Sequence, residues 1–138
     1  MFKKILVPVD GSPTSLQAVS RAVALAKAFD GAVTAIYVID PYPFTGVGTD
    51  FAYGQDQYLA AASAEAHDAI RVARESIEAS GVAVDTRVVE AHSVWRGILD
   101  AASAMEADIV VMGSHGRHGI EKLLGSVAQR VLSHAHVP

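Results

Sequence analysis

The sequence predicts an α/β fold: a doubly wound, mostly parallel sheet with helices on both faces, Rossmann-like in layout. Three observations predict it. Short apolar runs alternate with longer stretches of helical periodicity, in the order βαβαβαβ-loop-α. The first run, Ile5-Leu6-Val7-Pro8-Val9, is apolar without alternation, as a strand covered on both faces must be. Four glycines crowd between Gly113 and Ser126, directly after the apolar run Asp108 to Met112. Glycine costs about 0.5–1 kcal/mol relative to alanine inside regular structure, so such crowding marks a backbone that must turn or be approached closely.

Each element can be read in turn. Strand 1 is Ile5 to Val9, with Pro8 near its end because proline cannot donate to a ladder. Ser12-Pro13 reads as an N-cap followed by proline in the first helical turn. Leu16, Val19, Val23 and Ala26 continue at helical spacing, and Asp30-Gly31 ends helix 1. Val33 to Ile39 is strand 2. Asp40 to Gln57 reads as a long loop with aromatics at Tyr42, Phe44, Phe51 and Tyr53. Loops of that length serve as lids, partner surfaces or plain variable surface. Leu59 to Ser80 is helix 2, with Ala62, Ala66, Ile70, Ala73 and Ile77 on one face and Gly81 as its stop. Val82 to Val89 is strand 3. Ser93 caps helix 3, which carries Val94, Ile98, Ala101, Ala102 and Met105. Asp108 to Met112, the most apolar strand, is strand 4. Val127 to Ser133 opens helix 4. An α/β unit returns to the sheet after such a helix, so a final strand is expected to be absent from a chain that stops at His136-Val137-Pro138.

The bulk numbers restrict the function. A length of 138 residues fits one domain, 1–138, able to bury a core without staples. A net charge of −4 argues against nucleic acid or an acidic membrane as partner. There is no cysteine, which excludes disulfides and thiolate metal sites. The apolar run after Lys3-Lys4 is shorter than the roughly 7–15 residues of a secretory signal. No stretch reaches the ~18 apolar residues of a membrane span. A soluble, cytoplasmic protein is expected.

In open α/β sheets, ligands bind at the carboxyl ends of strands where the strand order reverses. Strand 1 ends in Asp10-Gly11-Ser12 and strand 4 ends in Gly113. If these strands are neighbours with helices on opposite faces, their ends form one crevice. The glycine loop leads into Ser126, and Ser126 with Gln129 has the spacing of a capping box. The amides of Val127, Ala128 and Gln129 would then lie at a helix N-terminus, which favours phosphate. Gly113, Gly116 and Gly125 let backbone fold around a polyphosphate. His115, Arg117, His118 and Lys122 add charge. The loop lacks the Gly-Lys-Ser/Thr of a Walker A sequence, and residues 10–13 lack the dinucleotide fingerprint. The plain alternative is a glycine-rich turn whose serine caps a helix.

The chain resembles the universal stress protein family. The resemblance is carried by "KKILVPVDGSPTS", "YVID", "ADIVVMGSHGRHG" and "LLGSVAQRVLSHAHVP" and spans nearly the whole length. It implies a five-stranded parallel sheet of order 3-2-1-4-5, a homodimer, and a stress-linked regulator or sensor with little or no catalysis. Many members bind ATP or a related adenine nucleotide. The implied site runs over Pro8, Val9, Asp10, Gly11 and Ser12, then Val38, then Met112, Gly113, Ser114, His115, Gly116, Arg117 and His118, then Gly125, Ser126 and Val127. Asp10 would lie by adenine and ribose, and the Val38 backbone would meet the adenine. Gly113 would meet the ribose or first phosphate. Gly116, Gly125 and Ser126 would hold the phosphates, with an amide from Val127. Magnesium or manganese would accompany ATP on its own phosphate oxygens and water. The family's common pattern is Gly-x2-Gly-x9-Gly-Ser/Thr, whereas eight residues separate Gly116 from Gly125 here. One residue fewer moves the loop's end by up to a few ångströms.

Other residues read as bystanders. His134 and His136 stand two apart near a terminus, and no third zinc ligand accompanies His115 and His118. No serine sits in Gly-x-Ser-x-Gly. Two other functions remain open on the same fold: a weak ATPase or adenylyl-transfer relative, and a non-nucleotide module that regulates a protein partner or transporter.

Overall fold

The computed structural model of the chain describes residues 2–41, 49–114 and 126–138. Its sheet has four parallel strands: β1 (Lys4–Pro8), β2 (Ala32–Ile39), β3 (Val84–Glu90) and β4 (Ile109–Val110). Their spatial order is β3-β2-β1-β4. Helices α1 (Pro13–Phe29), α2 (Thr49–Ala79), α3 (Val94–Ala104) and α4 (Ser126–His134) lie between and after them. The α/β class and the order 3-2-1-4 agree with expectation. A fifth strand is not seen among the described residues. The Pro138 carbonyl instead accepts a hydrogen bond from the Val110 amide at 2.7 Å, on the edge of β4 away from β1.

β1 is central. Ile5, Leu6 and Val7 are fully buried, as an unbroken apolar run requires. Ile5 stands opposite Val33 on one side and Ile109 on the other. Pro8 closes the strand, and Val9 continues the ladder by donating to the Ile36 carbonyl at 2.8 Å. Alternation along the strands sorts the core into two layers. Ile5, Val7, Val33 and Ala35 face α1 and α2. Leu6 and Ile36 face α3 and α4.

Local chemistry explains the helix ends. Ser12 is the N-cap of α1: its Oγ accepts from the Ser15 amide at 3.2 Å, and Pro13 follows in the first turn. The left-handed residue at the other end is Asp30, with φ +54°, rather than the glycine after it. Gly31 is required for room, because a Cβ there would lie 2.6 Å from the Phe2 carbonyl oxygen. Leu16, expected on the buried face, is exposed instead, and Ala18 and Ala22 complete that face.

Three expectations need correction. The segment 40–57 is not all loop: α2 begins at Thr49, well ahead of Leu59. Gly54 and the scattered aromatics disguised the helix, but one glycine costs only about 1 kcal/mol, little against a helix of 31 residues. The rest of the loop reading, residues 42–48, lies outside the described residues. β4 is shorter than Asp108 to Met112 and only half-buried, because it has one strand neighbour. Its outer parts still bond to β1, through Asp108 N–H to the Lys4 carbonyl and Val111 N–H to the Leu6 carbonyl. β3 is displaced towards Glu90 and is mostly half-exposed, as an edge strand should be.

On the second face α3 and α4 pack together. The Trp95 and His134 rings lie 4.6 Å apart, and the Arg96 guanidinium sits 5.1 Å from the indole centre. Among the described residues, no helix is long and apolar enough to cross a membrane.

Candidate functional site

β1 and β4 are neighbours, α1 leaves β1 on one face, and α4 follows β4 on the other. Their carboxyl ends therefore meet where the winding reverses, as the crevice argument requires. On the β1 side the chain makes a tight, hydrogen-bonded turn. Asp10 Oδ1 accepts from the Ser12 amide at 2.9 Å, an Asx turn. The Asp10 amide donates to Ser15 Oγ at 3.4 Å, and Ser15 Oγ donates to the Ser12 carbonyl at 2.9 Å. Gly11 sits at φ +82°, a conformation that strains any side chain. Pro8 and Val9 lead into this turn, so the five residues from Pro8 to Ser12 are one rigid corner.

On the other side Met112, Gly113 and Ser114 run on from β4. Met112, Val38 and Val127 are half-buried and pack against the core cluster of Leu6, Ile36 and Ile98, on the side of α3 and α4. Three predicted residues, from β2, from the segment after β4 and from α4, thus lie on one side of the sheet. α4 is described from Ser126, and the chain that leads into it, on which the expected capping box of Ser126 with Gln129 depends, lies outside the described residues. The predicted residues His115, Gly116, Arg117, His118 and Gly125 lie outside the described residues, as does Lys122.

A neighbouring feature carries no signal in the amino-acid pattern. A cavity of about 300 Å³ opens between the Asp10–Gly11 turn and α2. Its walls include Leu16 and Val72, and its carboxylates are Asp10, Glu65 and Asp68. Glu65, Asp68, Ala69 and Val72 share a helical face, but only the tertiary docking of α2 shows that this face meets the turn. The local field is negative. Tyr58 donates to the Asp40 carbonyl at 2.9 Å, and its hydroxyl pKa is pushed up by burial and then by Asp40 and Glu65. Three carboxylates around one cavity disfavour an anion in it. Among the described residues, no three His, Cys, Asp or Glu side chains come together to hold a metal ion.

Comparison with known proteins agrees with this fold. The family model described as the universal stress protein family matches residues 1–138. A universal stress protein of Methanocaldococcus jannaschii is 38% identical over 139 aligned residues, covering 100% of this chain and 80% of the relative. Universal stress protein UspA from Lactobacillus plantarum superposes with a TM-score of 0.86 at 27% identity, over 99% of this chain and 94% of the other. A universal stress protein solved in complex with cAMP superposes at 0.69 with 25% identity, over 99% and 92% of the two chains. The chain belongs to the universal stress protein family.

Proposed function

We propose that this protein is a regulator that binds an adenine nucleotide, ATP, ADP or AMP, between the ends of β1 and β4, with little or no catalysis. One observation carries the reading: β1 and β4 are neighbours with helices on opposite faces, so the Pro8–Ser12 corner and the Met112–Ser114 segment leave the sheet at its reversal point. Half-buried apolar side chains suit a planar base, and a helix start suits phosphate. The family's solved cAMP complex supports a nucleotide as the ligand class. Asp10 would face the ribose, Val38 the base through its backbone, and Gly113, Ser126 and Val127 the sugar–phosphate end. Magnesium or manganese would ride on the phosphates, since the described residues build no cage for it. A homodimer and a protein partner that reads the bound state complete the proposal.

The test is a melting titration with ATP, ADP, AMP and cAMP, with and without magnesium. A native-state ligand at a hundredfold excess over its Kd adds about 2.7 kcal/mol, a rise of several degrees for a domain this size. A saturating, adenine-specific rise that Asp10→Ala abolishes supports the site. The eight-residue spacing between Gly116 and Gly125 favours one other reading, a partner-binding module without nucleotide. No shift with any nucleotide would put that reading first.

A further inference from the structure

The cavity between the Asp10–Gly11 turn and α2 has no part in the nucleotide reading. It lies on the face of the sheet that α1 and α2 cover, with Val9 and Tyr37 of that core in its lining. Its volume of about 300 Å³ matches the smaller pockets that hold small molecules, roughly 300–1,000 Å³. Its walls are of two kinds. The first is apolar. Leu16 on α1 is 39% exposed and Val72 on α2 is 36% exposed, and both line the cavity. Single exposed apolar side chains need no explanation, but two from different helices on the wall of one cavity do.

The second kind of wall is anionic. Asp10 comes from the turn, and Glu65 and Asp68 come from neighbouring positions on one face of α2. Among the described residues, no lysine, arginine or histidine lines the cavity. Asp68 is answered from outside it, by Arg71 at 2.6 Å. Asp10 accepts the Ser12 amide on Oδ1, and no basic side chain among the described residues pairs with it. The cavity therefore joins negative charge to hydrocarbon and supplies no cation of its own. A bare metal ion answers only the charge, and no three metal-ligating side chains converge among the described residues. An ammonium group on a hydrocarbon chain answers both walls. It donates three hydrogen bonds, which carboxylates accept, and its chain covers apolar surface.

We propose that this cavity is a binding site for a small primary alkylamine, with the ammonium held between Asp10 and Glu65 and the hydrocarbon part lying against Leu16 and Val72. The site is separate from the nucleotide reading and does not depend on it. Non-specific attraction of cations to an acidic surface would treat all small ammonium ions alike, whereas the apolar wall makes affinity rise with chain length.

The experiment is an NMR titration of backbone amides with n-butylamine, methylamine, 1-butanol and butyrate, at neutral pH and about 0.15 M salt to screen exposed charge. Butylamine should saturate and shift the amides of Leu16, Ala69 and Val72. A buried methylene adds about fourfold to affinity, so methylamine should bind about tenfold or more weakly. The alcohol lacks the charge and butyrate reverses it, so neither should saturate. Glu65 and Val72 both lie exposed on α2, so the fold tolerates change at either. Glu65→Gln should lower butylamine affinity by about threefold or more, and Val72→Ser should narrow the gap between butylamine and methylamine. Absence of saturation with butylamine overturns the proposal. So do equal affinities for the two amines, butanol binding as well as butylamine, or a Glu65→Gln variant that binds like wild type. No probe carries a base or a phosphate, so the fate of the nucleotide reading leaves this result untouched.

Discussion

The two faces of the sheet are built to different standards. Under α1 and α2 the core is closed. Ile5, Val7 and Val33 meet Val19, Ala22 and Ile77, each almost without solvent exposure. Under α3 and α4 the core is closed only in its centre, at Leu6, Ile36 and Ile98. Around that centre Val38, Met112, Val127 and Leu99 remain half-buried. Under the proposed function, the difference separates the face that holds the fold from the face that borders the ligand. A closed face holds the strands in register. A half-open face beside a strand-end crevice leaves apolar surface for a ligand to cover.

The sharpest way to break this comparison is to truncate one residue on each face. Ile77→Ala, at zero exposure, is expected to cost about 2–5 kcal/mol in urea unfolding. Met112→Ala, on the half-open face, is expected to cost about half of that or less and, under the proposed function, to weaken adenine-nucleotide binding. Equal losses would show that the two faces are not distinct. Next in size is Ser12→Ala. It removes the cap of α1 and is expected to cost about 0.5–2 kcal/mol by thermal melting. A negligible change would mean that Pro13 and Asp10 hold the corner without it.

Asp108 gives a pH-dependent prediction on the β4 side. Its Oδ2 accepts from the Lys4 amide at 2.9 Å and the Lys3 amide at 2.8 Å, and the Lys4 bond leads in holding its pKa below the usual aspartate value. The folded value lies below the unfolded one, near 3.9 for a free aspartate. Its contribution is therefore present above about pH 4 and is lost as pH falls through the folded value. Wild type should exceed Asp108→Asn in stability at neutral pH and converge with it in acid. A gap that persists undiminished below about pH 2 contradicts this assignment. The smallest effect belongs to Leu132→Ala, on the exposed side of α4 at 69% exposure, expected within about 0.5 kcal/mol of wild type. A larger loss in a concentration-dependent melt would reveal a second copy covering it.

Much of this was legible from the residues alone. Ser12-Pro13 announced the start of α1 because capping is local chemistry. The unbroken run at Ile5 announced a central strand because two covered faces leave no place for alternation. The neighbourhood of β1 and β4 followed from chain order and the resemblance together. What stayed hidden was tertiary. Nothing in Leu16 itself says that its side chain borders a cavity instead of the core. Glu65 and Asp68 look like any solvated pair on a helix until α2 docks beside Asp10. The apolarity of Ile109 to Met112 promised a buried strand, but burial depends on how many neighbours a strand has. Gly97 carries no sequence signal, because its reason lies in the close approach of Val38, far away in sequence.

The Trp95–His134 contact has a practical consequence. The chain has a single tryptophan, so its intrinsic fluorescence comes from one known place. α4 starts beside the candidate crevice and ends on that indole. Any ligand that tilts α4 from its first turn changes the stacking at its last. The protein thus carries an unlabelled optical reporter, about one helix length from the place where a nucleotide would arrive.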